Sequence, residues 1–123
     1  MSSGVGTSGS GVAAASSGES DGVDEVCPRF HAAIELIGKR WSGAIVWALS
    51  NGPLRFAELK RAVPGLSDRL LSQRLRELES ADVVARRVEE GYPARVSYAL
   101  TEKGEALGPA ITSIGDWAER WGA

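Results

Sequence analysis

The sequence predicts a mainly α fold with a small β-hairpin wing, a winged helix-turn-helix, and three observations carry that prediction. A helix with one polar face, over Ser67 to Ala81, follows a short helix and a Pro64-Gly65 turn. Directly after it the apolar period changes from helical to alternating, with Gly91-Tyr92-Pro93 between two alternating runs. The chain then closes on a long apolar stripe from Leu107 to Trp121.

The 123 residues hold material for one modest domain, placed over residues 26–123. Residues 1–25 are read as a disordered Ser/Gly-rich tail, because ordering them would cost entropy with almost nothing large to bury. The formal charge of -2 is uneven: the tail carries Glu19, Asp21, Asp24 and Glu25 and no base, so the domain has 14 basic against 12 acidic residues. That mild basic bias permits a nucleic-acid partner without proving one. A single cysteine excludes an internal disulfide framework and fits a reducing compartment. No apolar run approaches the roughly 20 residues of a membrane span, and no basic segment followed by an apolar core marks a secretory signal. A cytoplasmic protein is expected, and no cofactor or metal-binding pattern is read.

The first helix begins at Cys27-Pro28, with Pro28 suited to the first helical position and Phe30, Ile34 and Ile37 at helical spacing up to Gly38. Cys27 would stand at its N-terminus, with Arg29 near and His31 one turn on, a placement that lowers a thiol pKa. Pairing Cys27 with His31 as nucleophile and base gives an enzyme reading, but without an orienting acid or an oxyanion-hole motif. The other two readings are a redox-sensitive thiol and an unreactive, partly buried cysteine.

A second helix is expected from Trp41 to Leu49, burying Trp41, Ala44, Ile45, Ala48 and Leu49. Trp47 falls about 240° round from Trp41 and needs other cover: a partner subunit, a ligand pocket, or the C-terminal helix. Arg55 to Ala62 forms the third helix, with Phe56, Leu59 and Val63 inward and Glu58, Lys60 and Arg61 outward.

In the fourth helix Leu71, Leu75 and Leu78 share one side, while Arg69, Ser72, Gln73, Arg76 and Ser80 share the other. Ser67 is the N-cap, and Asp68 suits the positive end of the helix dipole. The outward residues are those that read a major groove: arginine forks for guanine, an amide for adenine, hydroxyls for bases or phosphates. The helix is therefore a candidate recognition helix, the alternative being an ordinary solvated face.

Val84 to Glu89 and Arg95 to Leu100 then form a hairpin, whose Arg86, Arg87 and Arg95 could reach flanking phosphates or a narrow minor groove. Glu89 and Glu90 oppose phosphate, which makes Arg95 the expected chief contact. Thr101 caps a last helix through Trp121, with a kink or restart expected at Gly108-Pro109. Its stripe, with Ile111, Ile114, Trp117 and Trp121, exceeds what a small core needs and predicts a homodimer through terminal helices; the alternative is that the stripe folds back on its own domain.

Seven segments in order resemble the HxlR-type bacterial transcription regulators, relatives of the MarR winged-helix proteins. They are Cys27-Pro28, Ile37-Gly38-Lys39-Arg40-Trp41, Gly52-Pro53-Leu54-Arg55-Phe56-Ala57-Glu58-Leu59, Pro64-Gly65-Leu66-Ser67, Leu71-Ser72-Gln73-Arg74-Leu75-Arg76-Glu77-Leu78, Pro93-Ala94-Arg95-Val96-Ser97-Tyr98 and Thr101-Glu102-Lys103-Gly104. The resemblance covers Cys27 to Trp121 and implies a dimeric DNA-binding winged helix, in several members with an oxidant- or electrophile-sensing counterpart of Cys27. Where many members carry Gly-Lys-Trp this chain has Lys39-Arg40-Trp41, and its wing holds Glu89-Glu90-Gly91.

The expected function is a sequence-specific DNA-binding transcriptional regulator, a repressor on an inverted repeat in double-stranded promoter DNA, and not an enzyme. Candidate DNA-binding residues are Ser67, Arg69, Ser72, Gln73, Arg76, Arg86 and Arg95. Cys27, His31 and Trp47 are candidates for a thiol or small-molecule signal, and Ile111, Ile114, Trp117 and Trp121 for the dimer interface. The competing reading is a winged-helix protein-protein interaction module without DNA binding, which would show exposed apolar anchors on the fourth helix instead of Arg, Gln and Ser.

Overall fold

Pro28 opens the first helix of the computed structural model, which describes residues 24–122. The order is α1 (Pro28–Gly38), α2 (Ser42–Leu49), α3 (Phe56–Ala62), α4 (Asp68–Ser80), β1 (Val84–Glu89), β2 (Arg95–Leu100) and α5 (Glu102–Trp121). The tail placed over residues 1–25 lies outside the described residues except for Asp24 and Glu25, which are exposed and outside any helix or strand. The chain divides into two compact units between Leu36 and Ile37. Most of α1 falls in the first. None of its residues is buried, and Phe30 and Ile34 are exposed.

In the second unit the core is built by Ile45, Val46 and Leu49 of α2, Leu59 of α3, Leu71, Leu75 and Leu78 of α4, and Val83, Val84, Ala99 and Leu100 at the base of the hairpin. The buried side of α2 differs from the expected one. Ser42, Ile45, Val46 and Leu49 are inside, while Ala44 is exposed and Trp41 is the N-cap, in left-handed conformation with φ 82°. An eight-residue helix that is apolar nearly all round has little phase of its own, so the larger Val46 takes the interior in place of Ala44.

The hairpin is antiparallel, with Val84 opposite Leu100, Arg86 opposite Tyr98 and Glu89 opposite Arg95. Leu54, between α2 and α3, adds a bridge to Tyr98 through reciprocal backbone hydrogen bonds of 2.9 and 2.8 Å. The hairpin is thereby pinned to the helical layer.

Thr101 caps α5, its Oγ1 accepting from the Gly104 N–H at 3.0 Å. The same hydroxyl donates to the Asp82 carbonyl at 2.5 Å, and the Thr101 N–H donates to the Val83 carbonyl at 3.0 Å. Lys103 Nζ adds a bond to the Ala81 carbonyl at 2.7 Å. The Thr101-Glu102-Lys103-Gly104 segment thus fastens the start of α5 to the corner between α4 and β1. Of the kink or restart expected at Gly108-Pro109, the restart does not occur: α5 runs on through Pro109 as one helix. Proline removes a single backbone donor, a loss that a long helix tied down at its start can absorb. Of the terminal stripe, Ile111 is buried in the protomer, with its Cδ1 beside Gly43 of α2. Ile114, Trp117 and Trp121 remain exposed.

Candidate nucleic-acid interface

Ser67 Oγ accepts from the Leu70 N–H at 3.1 Å, so the cap expected for α4 forms. Leu71, Leu75 and Leu78 anchor the helix from behind, and Arg69, Gln73, Arg76 and Ser80 emerge exposed on the far side. Ser72 lies at the flank and is half-buried. The α3–α4 turn is fixed by Gly65 at φ 90° and by Lys60, whose Nζ donates to the Leu66 carbonyl and lies 3.1 Å from Asp68 Oδ1. Lys60 is therefore occupied, although the sequence suggested a free outward cation.

Residues that periodicity alone did not assign stand behind the polar row. Arg74 Nε donates to the Arg40 carbonyl at 2.9 Å, and Arg74 Nη1 bonds Glu77 Oε1 at 3.2 Å. Glu77 Oε2 in turn lies 3.3 Å from Lys39 Nζ. Partial burial of Glu77 works to raise its pKa, but the Lys39 hydrogen bond and charge, the Arg74 charge and the Gln73 amide outweigh it and hold the carboxyl below its ordinary value. The sequence carried a signal for Arg74. On a helical wheel it falls about 60° from the leucine centre, on the packing side, whereas Arg69 and Arg76 fall opposite.

On the hairpin, directly paired residues share a face, so Arg87, Glu89, Arg95 and Ser97 lie on one side and Arg86, Val88, Val96 and Tyr98 on the other. Arg86, Arg87 and Arg95 are all exposed, but Arg86 and Arg95 project from opposite faces. They do not form one basic strip.

Cys27 is exposed in the single chain. The backbone N–H groups of Phe30 and then Arg29, followed by the Arg29 charge, hold its thiol below the ordinary value. His31 Nε2 lies 3.6 Å from Glu35 Oε2, one turn further along the helix. Trp47 is 53% exposed and places its ring edge against Gly115 of α5, the C-terminal helix named as one of its possible covers. With Ala44, Ala48, Ala62 and Val63 it lines an open apolar depression.

A capped polar helix behind a Pro-Gly turn, braced by a second helix and followed by a two-stranded ribbon, defines a winged helix-turn-helix DNA-binding transcription regulator. Residues 36–123 match the family described as HxlR-like helix-turn-helix, and the chain belongs to it. The HTH-type transcriptional regulator YvaP of Bacillus subtilis (strain 168) is 48% identical over 97 residues, covering 79% of this chain and 90% of the relative. YodB of the same organism, also an HTH-type transcriptional regulator, is 41% identical over 96 residues, covering 78% and 86%. Among solved structures, the reduced form of YodB superposes with TM-score 0.72 at 40% identity, covering 79% of this chain and 95% of that one. The redox regulator HypR in its reduced form superposes with TM-score 0.71 at 34% identity, covering 75% and 91%.

Proposed function

We propose that this regulator is a cytoplasmic repressor that binds an imperfect inverted repeat in promoter DNA as a homodimer. The observation that carries the reading is the exposed row of Arg69, Gln73, Arg76 and Ser80 on a capped helix whose other side is locked by leucines. Gln73, Arg69, Ser72 and Arg76 read base edges, and Arg95 with other basic residues holds phosphates. Exposed apolar residues on both terminal helices, Phe30 and Ile34 on α1 and Ile114, Trp117 and Trp121 on α5, support a dimer through those helices. Among the described residues no helix is long and apolar enough to cross a membrane.

The signal proposed is a thiol one at Cys27. It is supported by the exposed, acidified thiol, and by relatives of which one was solved as diamide-treated and as quinone-bound YodB and another as oxidised HypR. Repression follows from occupancy of the promoter, and modification of Cys27 releases the DNA by shifting helix packing.

Selecting duplexes from a random pool tests the partner and the symmetry together, since a dimer of this kind returns a palindrome. On the selected site, Gln73→Ala and Arg76→Ala are each expected to cost about 1–3 kcal/mol while leaving random-duplex binding nearly unchanged. Equal losses on both duplexes would remove α4 from the role of reader.

A further inference from the structure

The segment Lys39 to Trp41 touches the turn before the recognition helix and the middle of that helix from behind. Trp41, turned into a left-handed conformation, sets Cη2 where a Cβ on Gly65 would lie 3.6 Å from it, directly before the start of α4. The Arg40 guanidinium lies over the Trp41 ring, 4.9 Å from its centroid. In the middle of α4, Arg74 reaches the Arg40 carbonyl at 2.9 Å, and Glu77 joins Arg74 at 3.2 Å to Lys39 at 3.3 Å. The Arg74 side chain is 14% exposed, so this arginine lies inside the contact and away from the DNA-facing row.

We infer that Arg74, Glu77 and Lys39 form a clamp that sets the angle of the recognition helix, making Arg74 and Glu77 positioning residues for operator binding and not DNA contacts. The inference rests on α4 being the reader. Leucines alone hold a helix at a given depth but resist rotation about its own axis weakly, because apolar contact is non-directional. A planar guanidinium fixed at two acceptors is directional, and it lies one residue from Gln73 and two from Arg76. Gln73 stands one turn before Glu77 and its amide helps hold the Glu77 carboxyl below its ordinary value, so the clamp borders the reading row itself.

Each contact is partly solvated and adds little to stability, so the effect falls on geometry. A helix turned by a few degrees still meets phosphates but misaligns its bidentate base contacts.

The test measures binding of the intact protein to its selected duplex and to a random duplex over a salt series, with thermal unfolding followed on each variant. Arg74→Ala is expected to lose about tenfold on the selected duplex while random-duplex affinity and the salt slope stay unchanged. Arg74→Lys should not rescue, because one ammonium cannot serve the Arg40 carbonyl and Glu77 in the same plane. Glu77→Gln keeps an acceptor for Arg74 and is the fold-safe variant, expected to lose about threefold in preference, with Lys39→Ala adding nothing further to it. A salt slope reduced by about one unit in Arg74→Ala would make Arg74 a phosphate contact and overturn the inference. So would unchanged preference in Glu77→Gln. Gln73→Ala is the internal reference: if it keeps its sequence preference, the assignment of α4 as reader is what fails, whereas if it loses preference and the clamp variants do not, the clamp alone is wrong.

Discussion

Glu89 stands directly across the hairpin from Arg95, on the same face of the ribbon. The residue expected to hold phosphate therefore has a carboxylate as its nearest cross-strand neighbour, and the two charges offset each other toward DNA. Arg95→Ala should weaken binding to all duplexes and lower the salt slope by about one unit. Glu89→Gln should act the other way, strengthening binding to selected and random duplexes alike, most at low salt. Filter binding over a salt series separates the two. An unchanged affinity in Glu89→Gln would place the hairpin away from the DNA.

A Cβ on Gly104 would lie 2.1 Å from the Val83 carbonyl oxygen, and that carbonyl is held in place by the Thr101 N–H. Backbone fixed in this way cannot retreat, so Gly104→Ala should destabilise the fold by roughly 3 kcal/mol and lower the melting temperature by about 10–20 °C. Gly115 makes the contrast. A Cβ there would lie 2.8 Å from the Trp47 ring, but that ring is half-exposed and free to swing. Gly115→Ala should cost no more than about 1 kcal/mol and should change the tryptophan emission instead.

Replacing Trp117 by glutamate introduces a charge into the exposed part of the α5 stripe without touching the buried Ile111. If that stripe joins two copies, sedimentation should show a folded monomer, and operator affinity should fall about 100-fold or more as the two half-sites lose their linkage. An intact chain that already sediments as a monomer at high concentration would reject the terminal-helix dimer.

The Cys27 thiol is acidified first by the backbone N–H groups of Phe30 and Arg29 and then by the Arg29 charge. A depressed pKa keeps thiolate present at lower pH than in a free cysteine, so the pH profile of alkylation should have its midpoint below the ordinary thiol range. Arg29→Ala should move it up only in part, since the backbone donors remain. Diamide should take two electrons and two protons from a pair of thiols, leaving either a disulfide to Cys27 of the partner subunit or a mixed disulfide with a small thiol, and mass distinguishes them. Diamide-induced DNA release that is equal in wild type and Cys27→Ser would assign the switch elsewhere.

At neutral pH the Glu77 carboxylate should be fully ionised. Its pKa is lowered, so what it contributes to stability is present above the ordinary glutamate range and is lost only as the pH falls through the depressed folded value. Sequence preference in wild type should therefore be flat from pH 8 to about 6, and Glu77→Gln should leave that flatness unchanged.

The features readable in the sequence were those fixed by local chemistry. Ser67 and Thr101 cap their helices through neighbours three residues away, and the leucines of α4 repeat at the period that buries them. The alternating strands announced the hairpin. What escaped was set by contacts distant in the chain or by a pattern without phase. Arg74 finds the Arg40 carbonyl 34 residues back, and Leu54 bridges Tyr98 through a single residue too short to read as a strand. The apolar α2 gave no orientation, and the loop around Gly91 left open which residues would face each other, so the pairing of Glu89 with Arg95 emerged only from the register. The outward row of α4 was legible because burial of the leucines dictates it, whereas the occupation of Lys60 by Leu66 and Asp68 depends on how the turn closes.

The α4 helix keeps its folding contacts and its proposed reading contacts on separate sides. Leu71, Leu75, Leu78, Arg74 and Glu77 hold it in place, while Arg69 and Arg76 stand exposed on the far side and Gln73 borders the Glu77 carboxyl. Exposed positions of this kind tolerate exchange at a cost within about 0.5 kcal/mol. If α4 is the reader, binding preference can therefore be rewritten at Arg69 and Arg76 on an unchanged scaffold, provided Arg74 between them is left alone.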